Sequence, residues 1–221
     1  ASNTTNIKLA TAVVIAPLRN PALLAKTAAT LDSISKGRLE LGVGLGWQKE
    51  EYDTAGLSFE NRAEVFWETL DICKLLWEDS PISFNGKYFN FDDIWCHPQP
   101  PQGKDLPLLF GLKMTPENAS KIARVGHGWI PIKTSRDFIS EGKQILSEAF
   151  INAGRKDQPR IRGQLPTRFD EDGLPNIQLT LNEIEKSVAA GLDEVEVFPI
   201  NFVQGPEDIY KVLKLISEVK K

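Results

Sequence analysis

The regular alternation of short apolar segments with helix-patterned segments is the feature that most restricts the fold of this chain. Candidate strands begin near residues 7, 38, 106, 127, 160 and 194. All but one of the intervals between them are about 20 to 35 residues, the length of a strand followed by a helix. Such repetition is typical of a parallel sheet covered by helices, either a doubly wound sheet or a (β/α)8 barrel.

The predicted elements follow this repeat closely. The sequence predicts six strands, at 7–15, 38–45, 106–112, 127–132, 160–169 and 194–200. It predicts helices at 22–35, 62–77, 116–125, 136–153, 181–192 and 209–219, each with apolar residues at helical spacing. The barrel is favoured, but a closed barrel needs eight strand-helix units, typically in about 250 residues. The chain supplies six.

The long interval between the second and third strands contains an insertion at 80–105. This segment is rich in proline, asparagine and aromatic residues, and Asn85-Gly86 is a typical hairpin turn. We therefore predict one α/β domain over 1–221, interrupted by an insertion that carries a small hairpin.

Composition excludes several classes of partner. The 26 Lys and Arg residues against 30 Asp and Glu give a net charge of −4, with no long block of like charge, which argues against binding to nucleic acid or to an anionic membrane surface. The longest near-apolar segment, 9–18, is about half of what a membrane span requires. Two cysteines and an N-terminus without signal-peptide features predict a cytoplasmic protein without a disulfide framework.

Three glycines at alternate positions, Gly42, Gly44 and Gly46, lie where the second strand ends. Glycines at such a place let a ligand or a neighbouring chain segment approach closely. A dinucleotide fingerprint would need a helix at once and an acidic residue about 20 positions later, and neither is present. A ligand site and a tight structural exit from the strand both remain open.

Other candidates also have two interpretations. The turn formed by Gly111, Leu112 and Lys113 precedes a helix that begins at Pro116, so it is either an anion site or an ordinary turn. The triplet 50–52 (Glu-Glu-Tyr) lies either on the surface or among the catalytic loops of a barrel, and Thr11 is either a core hydroxyl or a site residue. The two histidines, without a Gly-x-Ser-x-Gly motif or metal-ligand spacing, argue against a serine hydrolase and a metal site.

Several stretches match a known family: 9–13, 17–21, 29–39, 41–47, 50–52, 84–88, 97–100, 107–111 and 126–129. Together they resemble the luciferase-like monooxygenase superfamily, and most closely its branch of oxidoreductases that depend on the deazaflavin coenzyme F-420. The resemblance implies a (β/α)8 barrel with an insertion, of which this chain contains about six units, the family's strands 3 to 8. The catalytic residues are then unknown. An incomplete barrel exposes sheet edges, so we also expect a homo-oligomer.

The resemblance further implies where a cofactor would bind. The ring would lie across the carboxyl ends of the strands near Thr11 and Ala12, where the family often has a non-prolyl cis peptide bond. Two segments would flank the phosphate arm: Gly44, Gly46 and Trp47, and Gly111, Leu112 and Lys113. Flavin luciferases often carry an arginine where Leu45 stands, so coenzyme F-420 is favoured over FMN.

The function implied is therefore an oxidoreductase that transfers hydride between reduced deazaflavin and a small organic substrate. Two alternatives stay open. One is an FMN-dependent monooxygenase, in which reduced flavin activates oxygen. The other is a non-catalytic flavin-binding short form or fragment.

Overall fold

The computed structural model describes residues 1–219, which form two compact units. The first comprises Ala1–Leu112 with Val125–His127, and the second comprises Lys113–Arg124 with the chain from Gly128 onward. Both units contain parallel strands and helices that alternate along the chain, as the sequence predicts. Within 1–219, every helix is too short or too polar to cross a bilayer.

The first unit is built around one buried parallel strand. Its elements are β1 (Leu9–Ala10), β2 (Val14–Ile15), α1 (Pro21–Ser35), β3 (Leu39–Gly44), α2 (Lys49–Ala55), α3 (Arg62–Glu78), β4 (Ile82–Asn85), β5 (Asn90–Ile94) and β6 (Leu108–Gly111). All six residues of β3 are buried. It pairs in parallel with β1, β2 and β6, so the apolar segment predicted at 38–45 forms the centre of the unit.

Helices α1 and α3 cover this sheet and pack against each other. The indole Nε1 of Trp77 donates a 3.0 Å hydrogen bond to the carbonyl of Ala25. At the other end of α1, the buried carboxylate of Asp32 accepts from the backbone N–H of Leu39 and from the backbone and side chain of Gln102. One buried acid therefore joins the helix, the start of β3 and the end of the insertion.

The insertion contains the predicted hairpin, with β4 and β5 paired in antiparallel around Asn85-Gly86. Its tip is attached to α3 by the carboxylate of Glu68. This group accepts hydrogen bonds from the backbone N–H groups of Lys87 at 3.1 Å, Tyr88 at 2.9 Å and Phe89 at 2.8 Å. Three charge-assisted hydrogen bonds hold the tip in a fixed position.

The second unit contains shorter strands. Its elements are most of α4 (Pro116–Val125), β7 (Gly128–Trp129), α5 (Arg136–Asn152), β8 (Arg160–Gln164), α6 (Ile177–Leu181), α7 (Ile184–Ala189), β9 (Glu194–Glu196) and α8 (Asp208–Ser217). Strand β8 pairs in parallel with both β7 and β9. Trp129 and Phe150 are among the largest buried side chains of this unit.

Several predicted boundaries are wrong, most of them for one physical reason. The strands predicted at 127–132, 160–169 and 194–200 end early, at Trp129, Gln164 and Glu196. Each prediction includes a proline, Pro131, Pro166 or Pro199, which has no N–H for the sheet. The strand predicted at 7–15 is divided into β1 and β2, the helix predicted at 181–192 is replaced by α6 and α7, and α2 was not predicted.

Candidate functional site

The carboxyl ends of three strands lie side by side in the first unit. The register places Ile15 of β2 next to Gly44 of β3, and Gly44 next to Gly111 of β6. Loops at the carboxyl ends of parallel strands are where α/β folds bind ligands. The structure thus brings seven of the eight predicted cofactor residues into one unit: Thr11, Ala12, Gly44, Gly46, Trp47, Gly111 and Leu112.

The break between β1 and β2 shapes one side of this edge. The peptide bond between Ala12 and Val13 is cis, next to the position implied by the resemblance. Thr11 donates its N–H to the carbonyl of Glu40 at 3.3 Å and its hydroxyl to the carbonyl of Gly42 at 2.8 Å. The Thr11 hydroxyl therefore has a structural partner in β3, while the small side chain of Ala12 is exposed.

The glycines at this edge are required by their neighbours in the chain. A Cβ at Gly44 would lie 2.7 Å from Cγ2 of Val13, and one at Gly111 would lie 3.0 Å from Cγ1 of the same residue. Gly46 has a φ of +73°, and a Cβ there would lie 2.9 Å from Cγ2 of Ile15. The structural interpretation of the glycine segment is thus supported, because Val13 and Ile15 occupy the space that side chains would fill.

Tyr52 holds the loop that follows β3. Its buried hydroxyl donates a hydrogen bond to the carbonyl of Leu45. Burial raises the pKa of Tyr52, against the opposing charge of Arg62, so the hydroxyl keeps its proton at neutral pH. Glu50 and Glu51 lie exposed in the first turn of α2, so for them the surface interpretation holds. The sequence marked the triplet 50–52 but did not indicate that its tyrosine positions the loop.

The loop presents one large side chain to solvent. Trp47 is 85% exposed, the highest value among the large hydrophobic side chains described. Leu112, by contrast, is 3% exposed and belongs to the apolar core of the first unit. Of these two predicted cofactor residues, only Trp47 has a side chain that a ligand can reach in this conformation.

Lys113 opens the second unit. Its side chain is exposed, and its carbonyl accepts a 2.9 Å hydrogen bond from Nδ2 of Asn118. The hydroxyl of Thr115 accepts from the N–H of Asn118 at 3.2 Å, so the turn before α4 is closed by its own polar groups. These contacts describe an ordinary helix start with a free cationic side chain beside it.

The positions of the Cys, His and acidic side chains bear on metal binding and on the adjacent pair Cys96 and His97. In the described part of the chain, no group of three His, Cys, Asp or Glu side chains is close enough to hold a metal ion. Burial raises the pKa of the Cys96 thiol, and the ring of His97 lies 5.3 Å from that of Trp95. Cys96 is thus buried within the insertion, whereas the adjacent His97 is exposed.

Comparison with solved structures shows the fold class. A coenzyme F420-dependent tetrahydromethanopterin reductase from Methanopyrus kandleri matches with a TM-score of 0.79 and 20% identity, covering 97% of this chain and 82% of that one. The FMN complex of the oxygenating constituent of 3,6-diketocamphane monooxygenase from Pseudomonas putida matches with a TM-score of 0.78 and 18% identity, covering 99% and 80%. The fold is α/β of the (β/α)8 barrel type, as expected.

Two relatives found by sequence have a higher identity to this chain than these solved structures do. An uncharacterized protein of Mycobacterium tuberculosis is 36% identical over 159 residues, which are 72% of this chain and 55% of the relative. The F420-dependent glucose-6-phosphate dehydrogenase of Kineococcus radiotolerans is 29% identical over 193 residues, 81% of this chain and 54% of that protein. The chain spans about half the length of these two relatives.

The family itself follows from a match over most of the chain. The profile of the luciferase-like monooxygenases matches residues 1–172, which include the glycine segment, the insertion and the strand ends described above. The resemblance deduced from the sequence is thereby confirmed. This chain belongs to the luciferase-like monooxygenase family.

Proposed function

We propose that this chain is part of an oxidoreductase that transfers hydride between reduced coenzyme F-420 and a small organic substrate. The observation that carries the proposal is the register of Ile15, Gly44 and Gly111, by which two of the implied cofactor residues, Gly44 and Gly111, are neighbours at the carboxyl ends of β3 and β6. A bound deazaflavin would supply the hydride chemistry, and the protein would position it.

The residues present fit a flat ring system. Ala12, near which the ring would lie, exposes a single methyl group. Trp47, which would flank the phosphate arm, is exposed and can be reached by a ligand. Tyr52 keeps the loop in place through the carbonyl of Leu45. Leu112, whose side chain is buried, would contribute backbone only, and Lys113 stays a prediction for the phosphate arm.

The choice of deazaflavin rests on two supports. Leu45 provides no cation at the position where flavin luciferases often carry arginine. In addition, a relative with 29% identity is an F420-dependent dehydrogenase. An FMN-dependent monooxygenase is the second candidate, since a structural neighbour is an FMN-binding monooxygenase. A non-catalytic flavin-binding form is the third.

Parallel fluorescence titrations with oxidised coenzyme F-420 and FMN test the proposal, on this chain and on the complete product of its reading frame. We expect tighter binding of the deazaflavin. Tighter binding of FMN would favour the monooxygenase, and binding of neither would contradict both. With the cofactor bound, conversion of a substrate under argon would support hydride transfer. A conversion that strictly requires oxygen would contradict it.

A matched pair of glycine variants locates the site. Gly46→Ala places a methyl group 2.9 Å from Ile15 and should weaken binding about tenfold, the equivalent of about 1.4 kcal/mol. Gly173 has a similar φ, +77°, but no atom lies within 4 Å of a Cβ built there. Gly173→Ala therefore has the same backbone cost and should leave cofactor binding unchanged. Equal losses of cofactor affinity in both variants would show that the cofactor does not bind beside Gly46.

The expected self-association stays a prediction that sedimentation velocity can test.

A further inference from the structure

The first unit contains a cavity that the cofactor residues do not line. Its volume is about 370 Å³, within the range of small-molecule sites. Three segments form its walls: the chain between β2 and α1, the chain from α2 into α3, and the tip of the β4–β5 hairpin. None of the eight predicted cofactor residues lies in this wall, but Tyr52, which holds the loop after β3, does.

The charged residues of the cavity wall are both positive. Its two charged residues are Arg19 and Arg62, and no acidic residue lines it. In the part of the chain that the structure describes, neither guanidinium forms an ion pair with a carboxylate. A cavity that contains two unneutralised cations and no acid attracts anions.

Arg62 is held in place by Phe59 and has a buried donor that lacks a partner in the described residues. Its guanidinium lies 3.6 Å from the ring centre of Phe59, and its Nη1 donates a 2.6 Å hydrogen bond to the carbonyl of that residue. The Phe59 ring in turn packs edge-on against Tyr52 at 5.4 Å. The Nε atom of Arg62 is buried and has no hydrogen-bond partner within 1–219. A buried donor without an acceptor is costly, so the fold leaves part of the hydrogen-bonding capacity of this guanidinium unused.

Two long helices also begin at this cavity. Asn20 and Asn61, which precede α1 and α3, both line it. Asn20 caps α1 by accepting from the N–H of Leu23 at 3.2 Å, whereas the side chain of Asn61 makes no capping bond. The first N–H groups of a helix carry partial positive charge. They add to the field of the two arginines.

Apart from Ser58, the rest of the wall is mostly apolar or aromatic. It includes Pro17, Leu18, Leu57 and Val65, together with Tyr52 and with Tyr88 and Phe89 of the hairpin tip. Because Glu68 holds the N–H groups of Tyr88 and Phe89 at 2.9 and 2.8 Å, this aromatic wall is preformed. We propose that the cavity binds a small organic anion, a carboxylate or phosphate on an apolar or aromatic body, with Arg62 and Arg19 holding the charged group.

Two fluorescent probes of nearly equal shape test this proposal on the full chain. Anilinonaphthalene sulfonate is an aromatic anion, and phenylnaphthylamine is its neutral counterpart. Arg62→Gln should weaken binding of the sulfonate by about tenfold or more, as expected for loss of a charged hydrogen bond, and should leave the neutral probe within about twofold. Arg19→Gln, at an exposed position without side-chain partners, should weaken the sulfonate by a smaller factor, about threefold.

Lys26→Gln on α1 removes the same charge outside the cavity wall and should change neither probe. Arg62→Lys, which keeps the charge, should restore part of the affinity that Arg62→Gln loses. Competition by benzoate and by phenyl phosphate then distinguishes the two anionic groups, and displacement by either supports the site. Equal effects of Lys26→Gln and Arg62→Gln, or equal losses for both probes, would overturn the proposal. Since the exposed Arg19 side chain forms no hydrogen bond or ion pair within residues 1–219, the result of Arg19→Gln stands even if Arg62→Gln unfolds.

Discussion

The two units of this chain are stabilised in different ways. The first is organised around apolar burial: all six residues of β3 are buried, and Leu70 and Trp77 of α3 are at most 1% exposed. In the second unit, ion pairs join neighbouring strands: Arg160 and Arg162 of β8 both pair with Glu194 of β9. Burial of apolar surface depends little on pH or salt, whereas ion pairs depend on both. The units should therefore respond differently to the same perturbation.

Glu183 is the centre of the ionic network in the second unit. Its side chain is 8% exposed, and one oxygen accepts from Arg168 and Arg136, both at 2.9 Å, while the other lies 3.3 Å from Lys186. The hydrogen bond from Arg168, reinforced by Arg136 and Lys186 against the effect of burial, lowers the pKa of Glu183 to about 2. The carboxylate is thus charged throughout the range in which proteins normally work.

The largest expected effect comes from the apolar unit. Leu70→Ala removes a side chain that is 0% exposed and should lower the free energy of unfolding by about 2–5 kcal/mol, because it leaves a cavity beneath α3. Leu75→Ala on the same helix removes a side chain that is 41% exposed and should cost less than about 1 kcal/mol. Urea unfolding at neutral pH and at pH 3 measures both. Equal losses for the two leucines would show that apolar packing does not dominate this unit.

A smaller effect, with a distinct pH dependence, is expected from Glu183→Gln. Because the folded-state pKa lies below the ordinary 4.5, the stability that this carboxylate contributes is fully present above about pH 4.5 and is lost as pH falls towards 2. Hydrogen exchange in α6 and α7 should therefore be faster in the variant than in the wild type at pH 6, and the difference should shrink at lower pH. Glu185→Gln changes an exposed neighbour and should show no such difference. A difference between wild type and Glu183→Gln that persists unchanged at pH 2 would contradict this assignment.

The same contrast explains how much the sequence could predict. Apolar periodicity located α1, α3 and β3 within a few residues, because these elements are defined by what they bury. The strand ends of the second unit were misplaced because Pro131, Pro166 and Pro199 were read as parts of strands. The helix predicted at 181–192 is shorter in the structure, where α6 ends at Leu181 and α7 covers Ile184–Ala189. Glu183, between them, bonds to Arg136, 47 positions away, and no local pattern shows such a contact.

The candidate site shows a similar limit. The glycine segment could be found from spacing, and the resemblance placed a cis peptide bond near Thr11 and Ala12. The reason for the glycines could not be found, because it lies in the side chain of Val13, which approaches Gly44 from the break between β1 and β2. The roles of Tyr52 and Arg62 were likewise invisible, since each depends on the carbonyl of a residue in the loop that precedes it.

The smallest effect on stability is expected at Glu68, a charged residue of the first unit. Glu68→Ala removes the acceptor of three backbone N–H groups at the hairpin tip, so exchange of the amides of Lys87, Tyr88 and Phe89 should accelerate. The loss in global stability should be only about 1–2 kcal/mol, because β4 and β5 remain paired and the freed N–H groups can reach water. Glu78→Ala breaks an exposed pair with Lys104 and should cost less than about 0.5 kcal/mol without changing the tip. If Glu68→Ala destabilised the chain as much as Leu70→Ala, charge would stabilise the first unit as strongly as burial does, and the contrast between the two units would fail.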